Sequence, residues 1–148
     1  TNRIVAGVVA VPVRKELYFA SEGNGAYLRK DGLNEKITVS KRSSTPRIAV
    51  SRSHCTEEES LLIEKLDIET VIAAGSSFKG CLVAKGDAEI YLRCGNTKEW
   101  DAAPLQIIVE EAGGVMVSLD GSRIVYNKET PVHHPYFASN GLVFPERG

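Results

Sequence analysis

The sequence has no apolar run long enough to cross a membrane. Its longest, Ile4 to Val13, is ten residues and contains Gly7 and Pro12, against the roughly 18 or more that a spanning helix needs. No basic segment precedes that run, as a secretion signal would require. Charge of one sign is also lacking: 18 Lys and Arg stand against 19 Asp and Glu, for a formal charge of −1. That excludes a sequence-independent nucleic-acid binder, which needs an excess of cations to neutralise phosphates. A small anionic ligand needs only two or three local cations and is not excluded. Cysteine is sparse. Cys55, Cys81 and Cys94 are odd in number, widely spaced and without a C-x-x-C pair, so neither a disulfide framework nor a thiolate zinc site is expected. They read as reduced thiols of a cytoplasmic protein, two of them buried. Cys55 follows His54, but adjacent residues on an extended chain point to opposite faces, which makes a poor nucleophile–base pair.

What is present is ordinary globular composition, 43% apolar and 25% charged over 148 residues, enough for one conventional core. Residues 1–45 read as β. Ile4 to Val11 is continuous and β-branched, as in a strand buried on both faces, and Pro12 should end it. Glu16–Ala20, Gly25–Arg29 and Ile37–Val39 follow as strands, with a hairpin turn at Glu22–Gly25. After Pro46 the rhythm changes to alternating strands and helices. Strands are expected at 48–50, 70–73, 88–93, 115–118 and 137–139. Thr56 and Glu59 form a capping box for a first helix. Phe78, Cys81, Leu82 and Lys85 mark a second, closed by Gly86. Leu105, Ile108, Val109 and Ala112 give the stripe of a third, ended by Gly113-Gly114. The fold expected is α/β: a mixed, largely parallel sheet with flanking helices, preceded by antiparallel strands.

Several polar residues could carry chemistry, and each has a plain alternative. Asp101 opens the third helix, where free N–H groups and the helix dipole favour a carboxylate. Locally it reads as an N-cap with Trp100 packed behind it and Pro104 in the first turn. Ser76 reads as the cap of the second helix, which is also anion-binding geometry. Lys79 would sit on a solvated face, Arg93 at the surface end of a strand, and His54 in a loop. His133-His134-Pro135 has no third ligand nearby and reads as a loop before the last strand.

Order and spacing change the weighing. Glu99-Trp100-Asp101-Ala102-Ala103, followed by Glu111-Ala112-Gly113-Gly114, resembles the C-terminal signature of the inositol monophosphatase superfamily. The resemblance implies that Asp101 ligates a catalytic magnesium. Upstream, Ser51-Arg52-Ser53-His54, Gly75-Ser76-Ser77-Phe78-Lys79 and Tyr91-Leu92-Arg93 appear in order, and the whole is similar to the 3′(2′),5′-bisphosphate nucleotidases. By that resemblance His54, Ser76, Lys79 and Arg93 become nucleotide contacts. The implied activity is Mg²⁺-dependent removal of the 3′-phosphate of adenosine 3′,5′-bisphosphate or a related small phosphate ester, including its sulfated form. A guanidinium fork matches a phosphate well, and a bisphosphate calls for cations at its second phosphate.

The superfamily's other signature, D-P-[IL]-D-G-[TS], is missing. The two Asp-Gly pairs, Asp31-Gly32 and Asp120-Gly121, follow no Asp-Pro. The chain is therefore expected to be the C-terminal part of a longer enzyme. Residues 1–45 would be an antiparallel remnant of its N-terminal domain and 46–148 its C-terminal α/β domain. A missing N-terminal domain, or a second copy, would cover residues 4–11. Two alternatives stay open: an inositol monophosphatase or sugar-bisphosphate phosphatase of the same superfamily, and a non-catalytic nucleotide-binding fragment.

Overall fold

Four strands form an antiparallel meander in the computed structural model, which describes residues 2–52 and 56–144. They are β1 (Ala6–Val11), β2 (Glu16–Ser21), β3 (Ala26–Lys30) and β4 (Leu33–Ile37), hydrogen-bonded in that order. Pro12 ends β1 as expected, in a short 3-10 turn at Pro12–Arg14. β1 is not buried on both faces: Gly7, Val9 and Val11 turn inward while Ala6, Val8 and Ala10 are exposed. An apolar run without polar punctuation hides its period, and this sheet has a helix against one face only. The fourth strand starts earlier than expected. Asp31 and Gly32 both have positive φ, 50° and 79°, the geometry that Asp-Gly favours in a two-residue hairpin turn, so Leu33 pairs with Lys30.

The second half alternates. β5 (Arg47–Ser51), α1 (Glu57–Lys65), β6 (Thr70–Ala74), α2 (Phe78–Ala84) and β7 (Ile90–Arg93) come first. Then follow β8 (Thr97–Lys98), α3 (Glu99–Glu111), β9 (Val115–Ser118), β10 (Val132–His133) and β11 (Tyr136–Ser139). The five-stranded sheet has the order β6-β5-β7-β11-β9. β5 is parallel to β6 and β7, while β11 is antiparallel to β7 and β9. The sheet is therefore mixed, with parallel pairing confined to its first three strands. β8 and β10 make a separate two-residue ladder. The capping box is present: Thr56 Oγ1 accepts from Glu59 N at 3.1 Å, and Glu59 Oε2 accepts from Thr56 N at 2.8 Å. Among the described residues no helix is long and apolar enough to cross a membrane.

Period two along β5 and β7 splits the core. Ile48, Val50, Ile90 and Leu92 pack with Leu62 of α1 on one face. Ala49 and Tyr91 pack with α2 and α3 on the other, and that cluster continues through α3 into Tyr18, Ala20 and Leu28 of the first sheet. The layers are thus sheet, α2 with α3, sheet, α1.

One charge is sealed into the first sheet. Glu16 is buried and accepts from Arg14 Nε at 3.1 Å, Tyr18 Oη at 2.9 Å and Lys30 Nζ at 3.2 Å. Burial pushes its carboxyl up, but the three donors together outweigh that and hold it at about 2. Its ionised form should stabilise the fold above the ordinary carboxyl value of 4.5, and that contribution should fade as pH falls from there toward about 2. Glu16→Gln should cost about 1–3 kcal/mol at pH 7, the range for leaving buried partners unsatisfied. Urea melts of both proteins at pH 7 and pH ~3 measure this; a gap of the same size at both would show that the charge contributes nothing.

Candidate active site

In open α/β sheets, ligands bind outside the carboxyl ends of the strands, where the chain reverses its direction of winding. Here the chain leaves β5 for β6 on one side, then passes back across β5 to β7 on the other. α1 and α2 accordingly lie on opposite faces. Ser51 ends β5, Gly75 to Ser77 follow β6, and Arg93 ends β7. Alternation places Ala49, Ser51, Tyr91 and Arg93 on the face covered by α2 and α3.

At this edge lies a small cleft of ≈ 60 Å³, lined by Ser76, Ser77, Tyr91, Arg93, Thr97, Asp101 and Tyr136. Three of the residues singled out from the sequence, Ser76, Arg93 and Asp101, therefore meet in one place. Larger hollows of ≈ 160 and ≈ 390 Å³ run along residues 2–6 against α3 and contain none of the sequence-predicted site residues. His54 lies outside the described residues, as does Cys55.

The environment of each residue differs from its plain expectation. Ser76 does not cap α2. Its φ is 47°, and Ser77 takes the cap position with a helical backbone and no side-chain cap bond. A left-handed serine costs of order 1–3 kcal/mol, a strain that clusters at functional sites. Lys79 is not on a solvated face. It is 2% exposed, its Nζ donates to Ser51 Oγ at 2.7 Å and lies 5.2 Å from the centre of the Tyr91 ring. Since Tyr91 lines the cleft, the ammonium is one ring away from it. Burial lowers the Lys79 pKa, Glu59 opposes that, and Arg93 adds to it. Arg93 donates through Nη2 to Asn96 O at 3.3 Å, while its Nε is buried with no partner among the described residues.

α3 begins two residues before the expected cap. Lys98 occupies the cap position and gives no side-chain cap bond, so Asp101 is the third helical residue, exposed, in the first turn of a 13-residue helix. Pro104 is the sixth helical residue, inside the helix and beyond its first turn. Trp100 does not pack behind Asp101. It is 64% exposed, with Lys98 Nζ 5.9 Å from its ring centre. The β8–β10 ladder carries the chain straight into the helix, which explains the early start.

Tyr91, Tyr136 and Thr97 line the cleft without having been singled out. Tyr91 could have been found, because period two puts it on the face of Arg93. Tyr136 could not: it sits directly across the ladder from Arg93, and that pairing joins residues 43 apart. Burial raises the pKa of both tyrosines, so their hydroxyls stay protonated. His133 is a buried strand residue in β10, and His134 is exposed. Mg²⁺ takes several oxygen ligands. The cleft has one carboxylate, Asp101, and among the described residues no group of three His, Cys, Asp or Glu could hold a metal. These residues do not amount to a complete magnesium site.

Comparison with known proteins gives the arrangement a family. Residues 1–143 match the model of the inositol monophosphatase family, and the chain belongs to that family. The 3′(2′),5′-bisphosphate nucleotidase CysQ of Aggregatibacter actinomycetemcomitans is 35% identical over 136 residues, covering 90% of this chain and 51% of that protein. CysQ of Salmonella typhimurium is 35% identical over 133 residues, covering 90% and 53%. Among solved structures, CysQ of Bacteroides thetaiotaomicron superposes with a TM-score of 0.80 at 34% identity, over 93% of this chain and 58% of that one. The Thermotoga maritima IMPase gives 0.75 at 26% identity, over 95% and 53%. The chain thus spans about half the length of the curated relatives it matches.

Lys79 offers a test of whether the cleft is kept for stability. Among the described residues its one hydrogen-bond partner is the neutral Ser51 hydroxyl, and a buried ammonium so held is a net cost. Lys79→Met, which preserves the apolar stem, should leave stability unchanged or raise it by about 1 kcal/mol. The lowered pKa also means that the wild type should gain on the mutant as pH rises toward 10.5. Thermal melts at pH 7 and pH ~10 decide; a loss of more than about 1 kcal/mol at pH 7 would make Lys79 a structural residue.

Proposed function

We propose that the chain forms the substrate-gripping part of a Mg²⁺-dependent phosphatase that removes the 3′-phosphate of adenosine 3′,5′-bisphosphate and of its sulfated form, in the cytoplasm. One observation carries the reading: Ser76, Arg93 and Asp101 converge on one cleft, and Arg93 Nε is buried with no partner among the described residues. An unsatisfied buried donor on a permanent cation is a place for an anion. The names of the similar bisphosphate nucleotidases agree with the pair of cations, Lys79 and Arg93, that a second phosphate calls for.

In this reading each group has a limited task. Arg93 holds the phosphate that is not cleaved, using Nε and whichever Nη hydrogens are free. Tyr91 and Tyr136, whose hydroxyls share a hydrogen bond, form the wall of the same cleft. Ser76, held in its strained conformation, offers its hydroxyl from the loop after β6. Lys79 lends positive charge across the Tyr91 ring. His54 meets the sugar or base. Asp101 gives one ligand to the magnesium ions, and the remaining carboxylates belong to the part of the relatives that this chain does not span. Residues 1–45 complete the sheet of an N-terminal domain. β1 has a neighbour on one side only, with Val5 60% and Val8 56% exposed, leaving an edge for the remainder of the enzyme.

The test has two arms. Residues 1–148 alone, with millimolar Mg²⁺, should release no phosphate, because one carboxylate cannot hold the metals. Calorimetry should still detect weak binding of adenosine 3′,5′-bisphosphate that fades with salt and is lost in Arg93→Met. In a chain of the relatives' length, Asp101→Asn should lower turnover at least about a hundredfold, more than loss of an outer ligand-orienting partner does. A preference above a hundredfold for inositol 1-phosphate would move the substrate to the inositol branch of the family.

A further inference from the structure

The first turn of α3 carries Asp101 into the cleft, yet it is not capped in the ordinary way. Its amide groups point toward Lys98, whose side chain makes no cap bond. What holds it is the segment at 125–133, which has no residue in the cleft. Glu99, the first helical residue, turns its carboxylate to that segment and accepts from Asn127 N at 2.8 Å, Lys128 N at 3.1 Å and Lys128 Nζ at 2.7 Å. Its own N–H donates to Pro131 O at 3.2 Å. Just before it, Lys98 pairs with Val132 and Thr97 with His133.

Lys128 is the centre of this arrangement. Its Nζ reaches Glu99 Oε1 at 2.7 Å, Val125 O at 2.7 Å and His133 Nδ1 at 3.1 Å. An ammonium has three hydrogens and accepts none, so all three are used. His133 Nδ1 must then be the acceptor, and its proton sits on Nε2, which is buried with no partner among the described residues. A surface lysine held only for solubility would keep one or more hydrogens in water. This one ties the start of α3 to the 125–133 segment, gripping that segment at Val125 and at strand β10. Thr97 and Asp101, on either side of Glu99, both line the cleft.

We propose that Lys128 is a positioning residue for Asp101: by tying Glu99, Val125 and His133 together it fixes the first turn of α3 and so the place of the cleft's carboxylate. The proposal rests on the reading of the cleft as the active site, but its first test does not. Trp100 is the chain's one tryptophan and adjoins Asp101, so it reports on this turn. In Lys128→Met, amide hydrogen exchange at Glu99, Ala102 and Ala103, the amides of residues 99–103 that have acceptors, should quicken by about tenfold, as loss of a charge-assisted hydrogen bond would produce. Exchange at 105–111, later in the same helix, should not change, and Trp100 emission should shift. Lys128→Arg should restore most of the protection. Should Lys128→Met fail to fold, Glu99→Gln removes the charge at the same joint with little change of shape and should act the same way. Unchanged exchange at Glu99, Ala102 and Ala103, or equal quickening along the whole of α3, would overturn the proposal. Turnover by a chain of the relatives' length forms the second arm: Lys128→Met should lower kcat while KM moves less than twofold. Faster exchange with unaltered kcat would overturn Lys128 as a positioning residue for the reaction, whereas undiminished turnover in Asp101→Asn would overturn the reading of the cleft itself.

Discussion

The fold depends on how closely α3 can be wedged between two sheets. Three glycines permit it. A Cβ on Gly7 of β1 would come 2.6 Å from Pro104 Cα, one on Gly80 of α2 would come 2.5 Å from Leu105, and one on Gly114 would come 2.6 Å from Ser139 O. None of these distances is open to a real side chain next to backbone or a branched residue, so each contact requires the smallest residue. Pro104 and Leu105 are consecutive, facing β1 and α2 in turn, and Gly114 seats the end of the helix against β11. The apolar cluster shared by both sheets exists because the helix can lie this near to each.

Both ends of the wedged helix then do different work. At the carboxyl end Glu111 accepts from Gly23 N at 2.9 Å and Gly25 N at 2.8 Å, clasping the β2–β3 turn. Those amides hold its carboxyl below the ordinary value. At the amino end Asp101 has no side-chain hydrogen bond among the described residues and lines the cleft with Ser76, which follows β6, and Arg93, which ends β7. The family signature that runs from Glu99 to Gly114 is therefore two kinds of residue in one stretch. Glu111 and Gly114 secure the helix, Glu99 joins it to the 125–133 segment, and Asp101 is the member free to meet a ligand.

Local chemistry made part of this legible in the sequence. Thr56 and Glu59 form their capping box because it needs only four consecutive residues, and β9 falls where its apolar run placed it. Misreadings came where distant packing decides. The run at Ile4–Val11 has no polar residue to reveal which face meets α3. Asp31-Gly32 follows no Asp-Pro, yet the pair has the chemistry of a two-residue hairpin turn and joins β3 to β4. α3 starts early because β10, some 35 residues later, pairs with the strand before it. Lys79 becomes buried because Tyr91 and Ser51, from two other strands, close around it. Of the site, the sequence order pointed to Ser76, Arg93 and Asp101, and the cross-strand neighbour Tyr136 had no local signal at all.

Costs of several kinds meet at the cleft, though not only there: Lys15, Asp31, Thr45, Asp67 and Asn127 are left-handed elsewhere, and His133 Nε2 is buried without a partner among the described residues. A serine in the left-handed region, an ammonium with one neutral partner and a guanidinium nitrogen buried without a partner all occur within or beside a single cleft of ≈ 60 Å³. Among the described residues the buried carboxylates outside the cleft are matched: Glu16 by three donors, Glu59 by the Thr56 N–H, and Glu89 by the guanidinium and the backbone N–H of Arg47. A chain that satisfies its buried charges in two sheets and leaves them under-satisfied at one edge has not simply packed badly. Local rules broken together at one place are a pattern shared by functional sites. An anion there would give Arg93 Nε an acceptor and offset the charge of Lys79 across the Tyr91 ring. The same spot is where the reversal of winding between β5, β6 and β7 opens the sheet, so topology and local strain independently indicate one place.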